Sequence, residues 1–228
     1  MNGVFIGFSL ARERLRGASA PIVMLTSCAA LFAIGVLERK SDAGSAPDDV
    51  LNGAVFGIAL PLIAYLVSDS ACDGMRLERS VDAVARYGSN RRSAVLGVLL
   101  ASVLCSALAS ALLTFAALLG AHAPNASSLA TDLRVSVSIA LMAGTVYALY
   151  FGAASLLGKR GGGRKWALIL DFVLGAGGSA LAAPWPRGHL RNLLGGEPVV
   201  DLSQVKAWFA LAVIGLTCAT LSVLRTAE

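Results

Sequence analysis

One aspartate in an otherwise uncharged apolar stretch is the first candidate for chemistry in this sequence. Asp171 lies within residues 166–183, where the other residues are apolar, small or aromatic. A carboxylate in a stretch that crosses a membrane is costly, so it is a candidate for a role on a substrate pathway. Asp171 follows Lys165 by only about one and a half helical turns. That spacing favours a simpler interpretation, in which Asp171 lies near the membrane interface and reaches water, Arg164 or Lys165.

The other chemical motifs are incomplete. The basic, glycine-rich segment 158–165 (GKRGGGRK) lacks the GxxxxGK[ST] order of a phosphate-binding loop, so we expect no ATP site in this chain. The two histidines, His122 and His189, fall in predicted loops, and no Gly-x-Ser-x-Gly or HExxH order is present. The four cysteines have no paired spacing, which argues against a disulfide framework or a zinc site. The sequence therefore predicts a chain that is not an enzyme, with no metal site and no cofactor of its own.

A lipid phosphotransferase is kept only as an alternative. Asp73-Gly74 resembles the start of the motif of CDP-alcohol phosphatidyltransferases, which also have six spans. Leu77-Glu78 stands where that family needs Ala-Arg, and no later pair of aspartates follows. The carboxylate cluster that a two-metal site requires is therefore missing.

The elements that must position these residues are long apolar segments. Apolar residues make up 56% of the 228 residues and charged residues 14%, against roughly 45–50% and 25% in soluble domains. A bilayer core needs about 20 apolar helical residues. Six segments are near or above that length, and only one contains a charged residue: 18–37, 50–68, 94–121, 135–157, 166–183 and 207–224. The predicted fold is an all-α, polytopic integral membrane protein with six transmembrane helices in a single domain, 1–228.

The distribution of positive charge predicts how the chain is oriented. If the N-terminus is cytoplasmic, the inner loops hold about twice as many Lys and Arg residues as the outer loops. We therefore expect both termini in the cytoplasm of a bacterial cell, with the spans in its inner membrane. The net charge of +5 is then a topology signal and not a sign of nucleic-acid binding.

Three amphipathic segments flank the predicted spans. Residues 3–16 carry Val4, Phe8, Ala11 and Leu15 at helical spacing, which predicts an interfacial helix with its apolar face in lipid. Residues 75–87 form a predicted cytoplasmic helix of the same kind, which rests on headgroups or docks a soluble partner. Residues 184–206 predict an outer segment that dips back into the membrane without crossing it.

The order of these elements resembles the permease subunit of ABC-2-type transporters over essentially the whole chain. Two stretches carry the resemblance: residues 75–100, with RLERSVDAVARYGSNRRSAVLGVLL from Arg76 onward, and residues 184–224, with PWPRGHLRNLLGG and then Trp208. The first is similar to the family's loop of an acidic and basic turn, a short apolar helix, an Arg-Arg step and the start of span three. Gly88 is a departure, because many relatives carry proline there.

This resemblance implies that the chain is the transmembrane half of an ATP-driven exporter, with ATP and Mg bound by a separate ABC ATPase subunit. Segment 75–87 would be a coupling helix that docks the ATPase, with the contact residues Arg76, Leu77, Glu78, Arg79, Val81, Asp82, Val84 and Arg86. The turn 158–165 would be a secondary cytoplasmic contact through Lys159, Arg160, Arg164 and Lys165. A second permease subunit, in a homodimer or heterodimer, would face spans one and five. A membrane scaffold without enzymatic activity fits the same residues and stays open as an alternative.

Overall fold

The protein is described by a computed structural model that covers residues 2–17, 19–42, 44–123 and 128–227. Within these ranges every regular element is a helix and no strand occurs, which confirms the predicted all-α fold. The main helices, in chain order, are α1 Gly3–Leu15, α2 Ser19–Ser41, α3 Ala46–Ala71, α4 Leu77–Ser80, α5 Asp82–Arg86, α6 Arg91–Ala121, α7 Leu129–Ala154, α8 Gly163–Leu174, α9 Pro186–Leu193 and α10 Gln204–Leu224.

Five of these helices are long and apolar enough to cross a membrane. They are α2, α3, α6, α7 and α10, and the mean hydropathy of their most apolar stretches lies between 1.6 and 2.3. A helix needs about 20 such residues to span the hydrocarbon core of a bilayer. This set of helices is that of a multi-pass membrane protein.

The segment predicted as the fifth span, 166–183, differs from the other predicted spans. Its helix, α8, has 12 residues and ends at Leu174, so it is only about 18 Å long. Three glycines follow within four residues, and Pro184 and Pro186 lie just beyond them. Glycine and proline are the poorest helix formers, so the chain turns back here instead of continuing outward. The prediction of one continuous helix over 166–183 is therefore wrong.

Small residues let the central helix α6 approach its neighbours closely. A Cβ on Gly120 of α6 would collide with the backbone of Phe32 in α2, and a Cβ on Gly35 would lie 2.6 Å from the carbonyl oxygen of Ala117. At the other end of α6, Gly97 meets the backbone of α1 in the same way. Close backbone contact through small residues is typical of helices that pack in membranes.

The N-terminal segment is helical, but its apolar residues do not all face outward. The most buried residues of α1 are Gly3, Gly7 and Ala11, which lie on the side that packs against α6. Phe8 and Leu15 pack against the apolar core at this end of the bundle. The predicted lipid-facing stripe is thus used largely for contact with the chain itself, because α6 offers α1 a surface of small residues.

The middle of α3 is wound more loosely than an ordinary α-helix. Residues Val50–Ala59 are π-helical, and ordinary α-helix resumes at Leu60. Pro61 has no N–H to donate and its ring crowds the carbonyl of the preceding turn, so a widened turn before it is physically reasonable. The widened stretch faces α9, the helix whose first turn is hydrogen-bonded to Asp171.

The glycine contact between α2 and α6 can be tested with two alanine substitutions. We expect Gly120→Ala to lower the stability of the protein by about 1–3 kcal/mol, because the new methyl group overpacks the contact with Phe32. Gly53→Ala is the matched control, since a Cβ there would meet no atom within 4 Å. Thermal unfolding in detergent measures the stability of both variants. Equal unfolding temperatures for the two variants would contradict this packing.

Candidate functional site

Two connecting segments lie together at one end of the bundle, which we call the basic end. The first is residues 72–90, between α3 and α6, and the second is residues 155–162, between α7 and α8. They touch at Gly161, where a Cβ would lie 2.8 Å from the carbonyl oxygen of Met75. Gly161 has a φ of +71°, in the left-handed region that favours glycine. The predicted docking helix and the predicted secondary contact are therefore neighbours.

Segment 75–87 forms two short helices instead of one. The helices α4 and α5 are separated at Val81, whose φ of −108° and ψ of 3° are not helical. Leu77 and Val81 are completely buried in the apolar core at this end, and Val84 is partly buried against it. Leu77 and Val81 therefore cannot be the exposed apolar anchor predicted for a partner, since the bundle itself covers them.

A buried arginine links the two segments. The side chain of Arg164, at the start of α8, is completely buried. It donates to a carboxylate oxygen of Asp69 at 2.8 Å and to the carbonyl oxygen of Met75 at 2.7 Å. Arg164 was predicted as an exposed contact for a partner. That prediction is wrong, because both of its hydrogen-bond partners lie within the chain.

Three more arginines hold the same segment, two from other helices and one, Arg76, from within the segment. Arg14 of α1 donates to the carbonyl oxygens of Ala71 and Ser80, each at 3.0 Å. Arg76 donates to the carbonyl oxygen of Leu156 at 2.6 Å and pairs with Glu78 at 3.0 Å. We call the four residues Arg14, Arg76, Arg91 and Arg164 the arginine cluster.

Arg91, the fourth member of the cluster, takes the place of Arg86 as the ion-pair partner of Asp82. Arg91, at the start of α6, donates to the carbonyl oxygen of Glu78 and forms an ion pair with Asp82. The sequence spacing predicts a pair of Asp82 with Arg86 instead. The bend at Val81 turns Asp82 toward α6, which leaves Arg86 exposed.

The arginine cluster satisfies the carbonyl groups that helix ends leave without partners. Ala71 ends α3, Ser80 ends α4 and Leu156 follows the end of α7, and each has its carbonyl oxygen bound by an arginine. Burial raises the pKa of the nearby Cys72 thiol above its usual range, although Arg164 opposes this. The thiol therefore stays protonated and fills space as a small apolar group.

Most of the exposed charged residues of the two connecting segments are basic. Tyr87 is 91% exposed beside Arg86. The exposed basic surface consists of Arg79, Arg86, Arg92, Lys159, Arg160 and Lys165. None of these six forms an ion pair with another residue in the described part of the chain. Of the residues predicted for partner contact, Arg79, Arg86, Lys159, Arg160 and Lys165 are thus accessible.

Asp171 lies elsewhere, in the interior of the bundle. Its side chain is completely buried, accepts a hydrogen bond of 2.7 Å from the hydroxyl of Tyr147, and accepts one of 3.2 Å from the backbone N–H of Arg187. The simpler interpretation is therefore wrong, because Asp171 is buried and its hydrogen bonds are with Tyr147 and Arg187, not with Arg164 or Lys165. Instead it joins three helices: Tyr147 belongs to α7, Asp171 to α8 and Arg187 to α9.

Asp171 acts as the N-terminal cap of α9. The helix starts at Pro186, and the N–H of Arg187 is one of the groups that an isolated helix leaves unpaired. The positive end of the helix dipole also favours a carboxylate there. The Arg187 side chain lies over the Phe172 ring, 4.7 Å from its centre, and donates to the Phe172 carbonyl at 3.3 Å.

This cap places the start of α9 inside the bundle. A Cβ on Gly57, within the widened part of α3, would lie 3.7 Å from the Arg187 guanidinium. The end of α9 reaches the other end of the bundle, where the Leu194 carbonyl accepts a hydrogen bond from Asn52 at 3.5 Å. An inward-reaching segment was predicted over 184–206, and the observed helix in it is Pro186–Leu193.

A cleft opens at the end of the bundle opposite the basic end. It has a volume of about 800 Å³ and lies between the starts of α3, α7 and α10 and the end of α9. Its lining includes Asp48, Ser136, Leu194 and Gln204. This lining offers both polar and apolar contacts.

Sequence reasoning did not find Arg14, Arg91, Tyr147 or Arg187 as site residues. Arg14 and Arg91 stand among other arginines, and nothing in the spacing distinguishes a buried arginine from an exposed one. Tyr147 lies in a predicted span with no charged neighbour. One available signal was the pairing rule: a carboxylate buried among apolar residues requires a donor, and Tyr147 and Arg187 are donors in adjacent elements.

The chain matches no protein-family model, no curated protein and no solved structure. Its function therefore has to be inferred from its own residues and their geometry.

The role of Arg164 can be tested by limited proteolysis. We expect Arg164→Gln to cost about 3 kcal/mol, because Asp69 loses its partner at the basic end. Trypsin should then cut after Arg79 or Arg86 much faster than in the unmodified protein. Lys165→Gln is the matched control, since Lys165 is exposed. If both variants are cut at the unmodified rate, Arg164 does not hold this segment.

The cap formed by Asp171 can be tested by a double-mutant cycle with Tyr147. Asp171→Ala leaves the Tyr147 hydroxyl and the Arg187 N–H without an acceptor, which we expect to cost about 1–3 kcal/mol for each. Asp171→Asn keeps an acceptor oxygen and should cost less. Thermal unfolding of Asp171→Ala, Tyr147→Phe and the double variant gives the coupling. Purely additive effects would show that the two side chains do not interact.

Proposed function

We propose that this chain is the transmembrane permease subunit of an ABC-2-type exporter, driven by a separate ABC ATPase that binds ATP and Mg. The observation that carries the proposal is the construction of the basic end. There, an exposed cationic surface is tied by the arginine cluster to the ends of the long helices.

The exposed basic surface suits a soluble partner with an acidic cleft. Arg79 and Arg86 project from segment 72–90 with no internal ion pair, and Tyr87 beside them is almost fully exposed. Arginine and tyrosine are enriched at the energetic centres of protein interfaces. Because Leu77 and Val81 are covered, we propose that Arg79, Arg86 and Tyr87 provide the main contacts with the ATPase. Lys159 and Arg160 from the second segment supply the secondary contact.

The connections of this surface support a coupling role over simple attachment. Arg14, Arg76, Arg91 and Arg164 link segment 72–90 to α1, α6, α7 and α8, and the segment itself continues from α3. A push on the segment is therefore transmitted to five helices at once. Packed interfaces of this kind move between discrete arrangements instead of deforming gradually. ATP binding in the partner would thus shift the whole bundle.

The exposed basic surface also indicates which end of the bundle faces the cytoplasm. If the ATPase is cytoplasmic, the basic end faces the cytoplasm, in agreement with the excess of Lys and Arg in these loops. The cleft at the opposite end then opens outward. Both termini are cytoplasmic in this arrangement, and the membrane is the bacterial inner membrane.

A second permease subunit belongs to the proposal. Only 11% of the most apolar stretch of α2 is buried, compared with 56% for α7. Ile169 and Val173 of α8 are also exposed, at 48% and 67%. These two helices correspond to predicted spans one and five, so we place the contact with a second copy or a related permease there. The rest of the exposed apolar surface faces lipid.

The docking contact can be tested by charge reversal. We expect Arg86→Glu to weaken association with the ATPase by about tenfold or more, because an acidic cleft repels the new carboxylate. The matched control is Arg12→Glu, which reverses an exposed charge on α1 at the same end of the bundle. Co-purification from membranes, followed by identification of the ATPase by its Walker motifs and its ATP hydrolysis, measures the association.

Three other results of these experiments would contradict the proposal. If Arg86→Glu binds as well as the Arg12→Glu control, the docking surface is assigned wrongly. If a complex forms but ATP causes no change in the bundle, the chain is a scaffold and not a permease. Metal-dependent turnover of lipid by the purified chain alone would replace the proposal with a phosphotransferase.

A further inference from the structure

An apolar groove runs between α8 and α10 near the basic end. Its volume is about 430 Å³. Small residues of α7, Ala153 and Ala154, form its floor, while Leu170 of α8 and Leu221 of α10 stand on its two sides. Leu170 and Leu221 are 38% and 47% exposed, so the groove opens along the side of the bundle and not at its end.

The groove exists because α8 is short and packs mainly on α7. Both α8 and α10 contact α7, so they lie side by side on it with the groove between them. Gly158 and Gly163 line the groove where the chain turns from α7 into α8. Larger side chains at these floor and turn positions would fill the space. The alanines and glycines keep it open.

Arg225 is the only charged side chain among the described residues that line the groove. Arg225 follows the end of α10 and lines the groove, and it is exposed. Its guanidinium has no hydrogen-bond or ion-pair partner in the described part of the chain. Trp166, which is 67% exposed, lines the groove near the start of α8. Tryptophan and arginine at the end of membrane helices are typical of the level of lipid headgroups.

We propose that this groove binds one acyl chain of a phospholipid with a negatively charged headgroup, whose phosphate is held by Arg225. The apolar lining matches the acyl chain, and the unpaired guanidinium matches the phosphate at the membrane surface. The bound chain fills the space between α8 and α10. The groove is lined by residues other than those proposed to contact the ATPase, and this proposal does not depend on that contact.

Tryptophan fluorescence can detect a lipid in the groove. The sequence has three tryptophans. Trp185 lines the deeper part of the groove and packs edge-on against Tyr150, with ring centres 6.4 Å apart. Trp166→Phe and Trp208→Phe leave Trp185 as the only reporter. The full chain is then placed in nanodiscs that contain phosphatidylglycerol or phosphatidylcholine with bromine atoms in the middle of the acyl chains, because bromine quenches tryptophan on contact.

We expect brominated phosphatidylglycerol to quench Trp185 at a lower mole fraction than brominated phosphatidylcholine. The difference should be about fivefold, the factor that one arginine at a membrane surface contributes. Arg225→Gln should remove this preference. The matched control is Arg12→Gln, which removes an exposed charge from the same end of the bundle and should keep it. Ala153→Leu narrows the floor and should reduce quenching by both lipids.

Three results would overturn the proposal. Equal quenching by the two lipids would mean that the groove has no preference for negative charge. Preserved preference in Arg225→Gln would mean that the phosphate is held elsewhere. Absence of quenching by either lipid would mean that the groove is covered by protein, as by a second copy of the chain. Arg225 is exposed and its side chain pairs with none of the described residues, so its substitution should not prevent folding.

Discussion

The burial of Arg164 constrains the whole basic end of this protein. A guanidinium without water costs several kcal/mol unless oxygen atoms surround it. Asp69 and the Met75 carbonyl supply these atoms, and both must stay within hydrogen-bond reach for α8 to start where it does. This requirement brings the two connecting segments together and fixes the ends of α3 and α8 relative to each other. The exposed basic surface is thereby attached to the ends of these two helices.

Asp171 constrains the interior of the bundle in a comparable way. Apolar packing is not directional, so it does not by itself fix how deeply α9 reaches between its neighbours. The carboxylate accepts from α7 and from the first turn of α9, which sets both the position and the direction of that helix. The two polar contacts lie at different levels of α8, one at its first turn and one near its last. The short helix is thereby held at both ends, although the groove leaves one of its sides open.

Two segments of the protein differ from what their sequences predict, each for a physical reason. The apolar spacing of Leu77 and Val81 correctly indicates one buried face, but periodicity does not say whether the chain itself or a partner covers that face. The apolar run over 166–183 has the composition of a span, yet its glycines allow the chain to turn back. Hydropathy averages over such a run and gives little weight to the position of a helix break. The long segments that contain no helix break were predicted well, because an average over the whole run describes them correctly.

The sequence alone determined that this is an all-helical chain with several membrane-crossing helices, because uncharged runs of about 20 residues have few stable alternatives. It also identified Asp171 as unusual and the loops at the basic end as rich in arginine. Only the tertiary structure decided which arginines are buried, which are exposed, and which groups Asp171 contacts. These outcomes depend on contacts between residues far apart in the chain, such as Arg164 with Asp69. Local spacing carries no information about such distances.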